Sequence, residues 1–150
     1  MSDKIEKTIT INAPLNRVWR AIADYKEYGK WFQCEIDRPF EVGKEVMGRM
    51  TIKGFDHLTF PMKIVAMEEN KLFSCYWPAY VEKTDLDLLE EPWLLMEYHL
   101  KETAQGTELT IIESGFDKLN AAIRDEARRG NEGGWDFQLN NIRNYLHGEK

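Results

Sequence analysis

Phe116 to Leu146 reads FDKLNAAIRDEARRGNEGGWDFQLNNIRNYL, and how that stretch folds decides what the rest of the chain can be. Apolar or small residues recur at Leu119, Ile123, Ala127, Gly130, Gly134, Trp135, Gln138, Leu139, Ile142, Tyr145 and Leu146. Steps of three and four residues put them on one stripe of a helix, flanked mostly by Arg128, Arg129, Asn140, Arg143 and Asn144. The spacing predicts one long helix, with room for a single break in the middle. Gly133-Gly134 is expected there to permit a bend or a close approach to a neighbouring layer. A single amphipathic helix of this length is unstable alone and needs a large apolar surface to lie on.

The upstream sequence supplies that surface as strands. Ile5, Ile9 and Ile11 alternate within Lys4 to Asn12, a first strand. Asn12 stands where a helix cap belongs, and Ala13-Pro14 opens a helix carrying Leu15, Val18, Trp19 and Ile22 that ends at Asp24. Tyr25 to Trp31 reads as a second short helix. Residues 46–52, 58–67 and 72–77 form a meander, with turns at 53–56 and 68–71. Pro78 to Pro92, which contains Asp85, Asp87, Glu90 and Glu91, is too long and acidic for a tight hairpin; segments of this kind serve as lids. Alternation resumes at Leu94, Met96, Tyr98 and Leu100, and after a turn at 104–106 continues through Leu109, Ile111 and Glu113. Strand, two helices, a run of strands and a long helix define an α+β fold: a curved antiparallel sheet wrapped around the C-terminal helix.

Composition narrows the function. The 150 residues fit one domain, residues 1–150, large enough to bury a core without disulfides. A net charge of −6 argues against nucleic acid and anionic membrane surfaces, which require a basic face. No apolar run is long enough to span a bilayer, and the Met1-Ser-Asp-Lys-Ile start lacks an apolar signal segment, so a cytoplasmic protein is expected. Cys34 and Cys75 form no CxxC pair and are expected as free buried thiols. His57, His99 and His147 lack metal-ligand spacing; neither a metal nor another cofactor is expected. No nucleophile–base arrangement, phosphate-cradling loop or dinucleotide fingerprint is present.

The run from Asn12 to Asp24, NAPLNRVWRAIAD, resembles the opening of the SRPBCC (START-related, helix-grip) superfamily. The ending narrows the resemblance: GTELTIIESGF from Gly106 to Phe116, then Asn131-Glu-Gly-Gly-Trp135 and Tyr145-Leu146. It is similar to the branch related to the C-terminal domain of the activator of the heat-shock-protein ATPase (Aha homologues). The resemblance implies a cavity between sheet and long helix, which in many members of the superfamily holds a hydrophobic or amphipathic ligand. It also implies two alternatives, a chaperone-cofactor interaction module and a polyketide cyclase-type enzyme.

The residues permit the cavity. Met50, Phe60, Met62, Leu94, Met96 and Tyr98 are placed on the inward strand face, with Trp135 and Leu139 on the helix. For each of them, packing in an ordinary core is the competing explanation. Tyr76, Tyr80 and Tyr98 can offer hydroxyls to a ligand. If Leu109 and Ile111 face inward, Glu113 does too. A carboxylate there would be desolvated and suited to anchor a ligand or act as an acid. It would lose that role if the strand frays, if it caps the helix start, or if it pairs with Arg124. Glu97 and His99 fall on the opposite strand face, so no carboxylate–histidine pair converges inside. The expected function is binding of a small hydrophobic or amphipathic molecule, with Met50, Phe60, Met62, Tyr80, Met96, Tyr98, Glu113, Trp135 and Leu139 as ligand contacts.

Overall fold

The computed structural model describes residues 3–148. Seven strands form one sheet: β1 (Lys4–Ile11), β2 (Cys34–Ile36), β3 (Glu45–Met50), β4 (Thr59–Glu68), β5 (Leu72–Trp77), β6 (Leu94–Thr103) and β7 (Gly106–Ser114). Their spatial order is β1-β7-β6-β5-β4-β3-β2, with every neighbouring pair antiparallel. Helices α1 (Leu15–Ala23) and α2 (Tyr25–Phe32) link the two edge strands, β1 and β2, and α3 (Ala121–His147) packs across the sheet. This is the α+β helix-grip architecture anticipated from the pattern of elements.

Local chemistry explains the joints. Asp24 ends α1 by donating its N–H to Arg20, and its carboxylate accepts from the N–H groups of Lys26 (2.9 Å) and Glu27 (3.1 Å) to start α2. One residue therefore serves two helix ends, so α1 and α2 need no loop between them. At Gly29 a Cβ would lie 2.4 Å from the Cys34 carbonyl oxygen, so only glycine lets α2 seat on β2. The expected cap at Asn12 is not made. Pro14 occupies the N-cap position without a side-chain bond, and the Asn12 backbone N–H instead donates to His147 Nε2 at 2.8 Å. The short strand β2 was not anticipated, because three residues give too little alternation to read. β3 ends at Met50, two residues before the expected end.

The long helix differs from expectation at its start. Gly115 is left-handed (φ +105°), Phe116–Lys118 forms a 3-10 turn, and Leu119 is extended. Asn120 then caps α3 by accepting from the Ala122 N–H at 2.9 Å. The break falls before the helix, whereas α3 itself runs unbroken through Gly133-Gly134. Its buried stripe is Ile123, Ala127, Trp135, Gln138, Leu139, Ile142 and Leu146. Gly130 and Gly134 are exposed, and a Cβ at Gly130, Gly133 or Gly134 would meet nothing within 4 Å. Close approach to the sheet is therefore not what these glycines provide.

Residues 78–92 contain no helix or strand, as expected. They are not wholly solvated. Ala79 and Val81 are buried, and Leu86 and Leu88 pack against the core. No helix among the described residues is long and apolar enough to cross a membrane.

Candidate functional site

On β7, alternate residues Thr107, Leu109, Ile111 and Glu113 point inward and are fully buried. Glu113 is therefore a carboxylate inside the core, with Ile5 of β1 and Met96 of β6 as its cross-strand neighbours. The strand does not fray there, and the carboxylate neither caps α3 nor pairs with Arg124, whose ion pair is with Asp125.

Three N–H groups converge on it. Trp77 Nε1 donates to Oε2 at 2.7 Å, while Trp135 Nε1 and Asn131 Nδ2 each donate to Oε1 at 2.9 Å. Trp77 ends β5, and Asn131 and Trp135 stand one helical turn apart on α3, a spacing that puts both on one face. All three partners are neutral. Burial pushes the Glu113 carboxyl above its ordinary range, and the three N–H bonds offset this only in part. A carboxylate offers about four acceptor positions. Both on Oε1 are taken, and one on Oε2 remains.

Aromatic rings enclose this polar centre. Trp77 and Trp135 stack at 5.9 Å, and Phe32 approaches both, at 6.0 and 6.4 Å. Phe60 lies 6.2 Å from Phe32 and from Trp77, and Tyr98 lies 5.8 Å from Trp135. The Tyr98 and Tyr28 hydroxyls are hydrogen-bonded to each other at 2.5 Å. The Phe32 carbonyl accepts from Gln138 Nε2 at 2.9 Å, fastening α2 to α3. Cys75 shares a row with Met96 and Glu113 across the sheet. Burial raises its thiol pKa strongly, and burial also raises Cys34, to about 12, so neither is an activated nucleophile.

The anticipated contact residues divide into three groups. Met62, Met96, Tyr98, Glu113, Trp135 and Leu139 are buried on the inner side. Met50 and Phe60 are half-buried against the core. Tyr80 is 41% exposed on the segment after β5, apart from the cluster, and Tyr76 is similarly exposed. The sequence reading missed Trp77, Asn131, Phe32 and Tyr28. The first two were accessible: Trp77 has the parity of inward-facing Phe73 and Cys75, and Asn131 precedes Trp135 by four residues. No histidine joins the site. His99 bonds Glu97 at 2.7 Å, and His147 accepts from Asn12.

A helix-grip protein that closes an aromatic interior around an unpaired carboxylate is the class this fold and site define. The family model described as "Activator of Hsp90 ATPase homolog 1-like protein" matches residues 12–147, and the chain belongs to that family, within the SRPBCC superfamily. Among solved structures, protein MLL2253 from Mesorhizobium loti superposes with a TM-score of 0.78 at 20% identity, covering 98% of each chain. DynU16, from the dynemicin biosynthetic locus, gives 0.74 at 18% identity, covering 98% of this chain and 48% of that one. The Aha1 dimer from Colwellia psychrerythraea gives 0.71 at 15% identity, covering 95% of each chain. These likenesses establish a shared fold. No curated protein matches the sequence significantly.

Proposed function

We propose that this protein binds a small hydrophobic or amphipathic molecule between the sheet and α3. The observation that carries the reading is Glu113: a fully buried carboxylate with three neutral N–H donors, no cationic partner among the described residues and one open acceptor position on Oε2. An apolar side chain surrounded by apolar neighbours would stabilise the core at least as well. An aromatic interior with one such group has the composition of a ligand site: apolar walls and a single orienting polar atom. Met62, Met96, Tyr98, Trp135 and Leu139 supply walls, and the half-buried Met50 and Phe60 mark the side from which a ligand enters. Trp77 immediately precedes residues 78–92. That segment, carrying Tyr80, acts as a flap. Moving it gives a ligand hydroxyl or amine access to the open acceptor position on Oε2 beside the Trp77 indole.

Native mass spectrometry of the protein purified from its own host tests this directly. A retained small molecule is the expected result, and Glu113→Gln should weaken its binding by about 1.5–3 kcal/mol at most. Absence of any retained molecule, with no stabilisation by a panel of fatty acids, sterols and aromatic amphiphiles, would overturn the reading. Chemical conversion of the ligand by wild type, slowed about 10²-fold or more in the variant with binding intact, would make it a cyclase-type enzyme instead.

Family membership favours a second reading, a chaperone-cofactor module. Stimulation of the host Hsp90 ATPase by the purified chain, unaffected by removal of any small ligand, would establish that role.

A further inference from the structure

From the unfinished hydrogen bonding of β1 we infer that its open edge is a docking site for an extended acidic segment of a partner protein, which adds to the sheet as an eighth strand. In an antiparallel strand, alternate residues turn both backbone groups to the same side. Two bonds fix which residues of β1 turn away from β7. The Lys4 carbonyl accepts from Arg128 Nη2 at 3.1 Å, and the Asn12 N–H donates to His147 Nε2 at 2.8 Å. Both acceptor and donor sit at even positions, and the β1–β7 register is unbroken between them. Glu6, Thr8 and Thr10 therefore also present N–H and C=O outward, and among the described residues nothing bonds them. α3 side chains bond the outward backbone groups at both ends of the strand and leave those of its middle free.

Beside that middle lies a groove of about 470 Å³ lined by Lys7, Thr8, Ile9, Asp136, Leu139, Asn140 and Arg143. Its volume accommodates side chains from an added strand. Ile9 and Leu139 form an apolar floor. Lys7 is paired with Asp136 at 2.9 Å, whereas Arg143 has no ion pair or hydrogen bond among the described residues, so the groove carries one unmatched cation. On a chain of net charge −6 this is a local exception, and it selects a carboxylate.

A second copy of β1 does not meet this requirement. Its inward-phase residues are Ile5, Lys7, Ile9 and Ile11, so it would bring a further cation and no carboxylate. An acidic residue flanked in the same phase by β-branched residues does meet it. Backbone bonds would give affinity, and the groove would read alternate side chains.

The probe is a fluorescein-labelled peptide, Thr-Val-Thr-Glu-Thr-Val-Thr, titrated by anisotropy, with a second peptide carrying Lys for Glu. The Glu peptide is expected to bind at least about tenfold more tightly, a 1.4 kcal/mol difference. Arg143→Glu should reverse the preference. Amide exchange at Glu6, Thr8 and Thr10 should slow with the Glu peptide. Thr8→Pro, tolerated at an edge because the backbone loses only an outward N–H and the side chain only its exposed bond to the Thr110 hydroxyl, should abolish binding. Equal binding of the two peptides, or no binding of either at about 1 mM, would overturn the inference. So would sedimentation showing self-association that Thr8→Pro removes, which would make the edge an interface between copies.

Discussion

Replacing Glu113 by Gln tests the buried carboxylate through a pH dependence whose sign the hydrogen bonds dictate. All three neighbours are donors: Trp77 to Oε2, and Trp135 and Asn131 to Oε1. A Gln amide keeps one oxygen, and two donors hold it where Oε1 was. Its NH₂ then faces the Trp77 indole N–H, donor against donor. One buried N–H left unsatisfied costs about 1–3 kcal/mol. A protonated Glu avoids this, because its hydroxyl oxygen still accepts from Trp77 while its proton takes the remaining position. At low pH the variant should therefore be less stable than wild type by that amount.

Raising the pH narrows the gap. The folded-state pKa of Glu113 lies above its ordinary value of 4.5, because burial outweighs the three N–H bonds. A group raised on folding contributes stability that is complete below the unfolded pKa and is lost as pH rises through the folded one. Wild type loses it and the neutral Gln has none to lose. From about pH 4.5 upward the difference should shrink by up to about 1.4 kcal/mol per pH unit until Glu113 is fully ionised. Denaturant unfolding between about pH 4 and 8, with equal m-values, measures it. Other carboxylates titrate in both proteins and cancel. A difference that is flat with pH, or that grows as pH rises, would refute the account of the site.

Trp135→Ala removes a ring that is 4% exposed, stacks on Trp77 and donates to Glu113, and should cost about 3–5 kcal/mol by denaturant unfolding; a midpoint within error of wild type would count against α3 being gripped there. Ala at Gly130, Gly133 or Gly134 meets open space in a helix interior and should stabilise by about 0.5–1 kcal/mol each in thermal melts, whereas a loss at any of them would show that the helix must open there. Backbone amides of residues 78–92 should exchange faster than those of β5 and β6 and slow when a ligand binds; protection equal to the strands in the free protein would remove the flap.

Period-two alternation made β1, β6 and β7 legible, and the inward phase of Glu113 followed from Leu109 and Ile111. Helical periodicity found α3 but misjudged its start, because Leu119 continues the apolar stripe although Gly115 and the 3-10 turn interrupt the backbone. The same stripe took in Gly130 and Gly134, since a small residue fits a pattern of burial without being evidence for it. The site was half legible for another reason. Strand phase says which residues point inward, but it does not say that Trp77 and Asn131, 54 residues apart in sequence, meet on one carboxylate. That convergence depends on how far α3 is shifted along the sheet, which no local pattern encodes. Charge counting likewise could not foresee that Arg143 would stand unpaired among the described residues, beside an open strand.

The open acceptor position on Oε2 ties ligand and proton together. A ligand whose hydroxyl or amine donates to Glu113 needs the carboxylate, and a proton on Oε2 occupies the same position and removes most of the charge assistance that the bond would enjoy. Because the folded carboxyl is raised above its ordinary value, this competition falls at milder pH than it would for an exposed Glu. Affinity for a donor-bearing amphiphile should thus rise with pH as the folded Glu113 carboxyl titrates and level off once it is ionised, by up to about tenfold per pH unit inside that window. In Glu113→Gln the same titration should be flat. A purely apolar ligand should show no such rise, since it leaves Oε2 untouched. Calorimetric titrations of one donor-bearing and one purely apolar ligand at matched ionic strength separate the cases. Equal pH profiles for the two would mean that Glu113 only holds Trp77 and Trp135 in place and never meets the ligand.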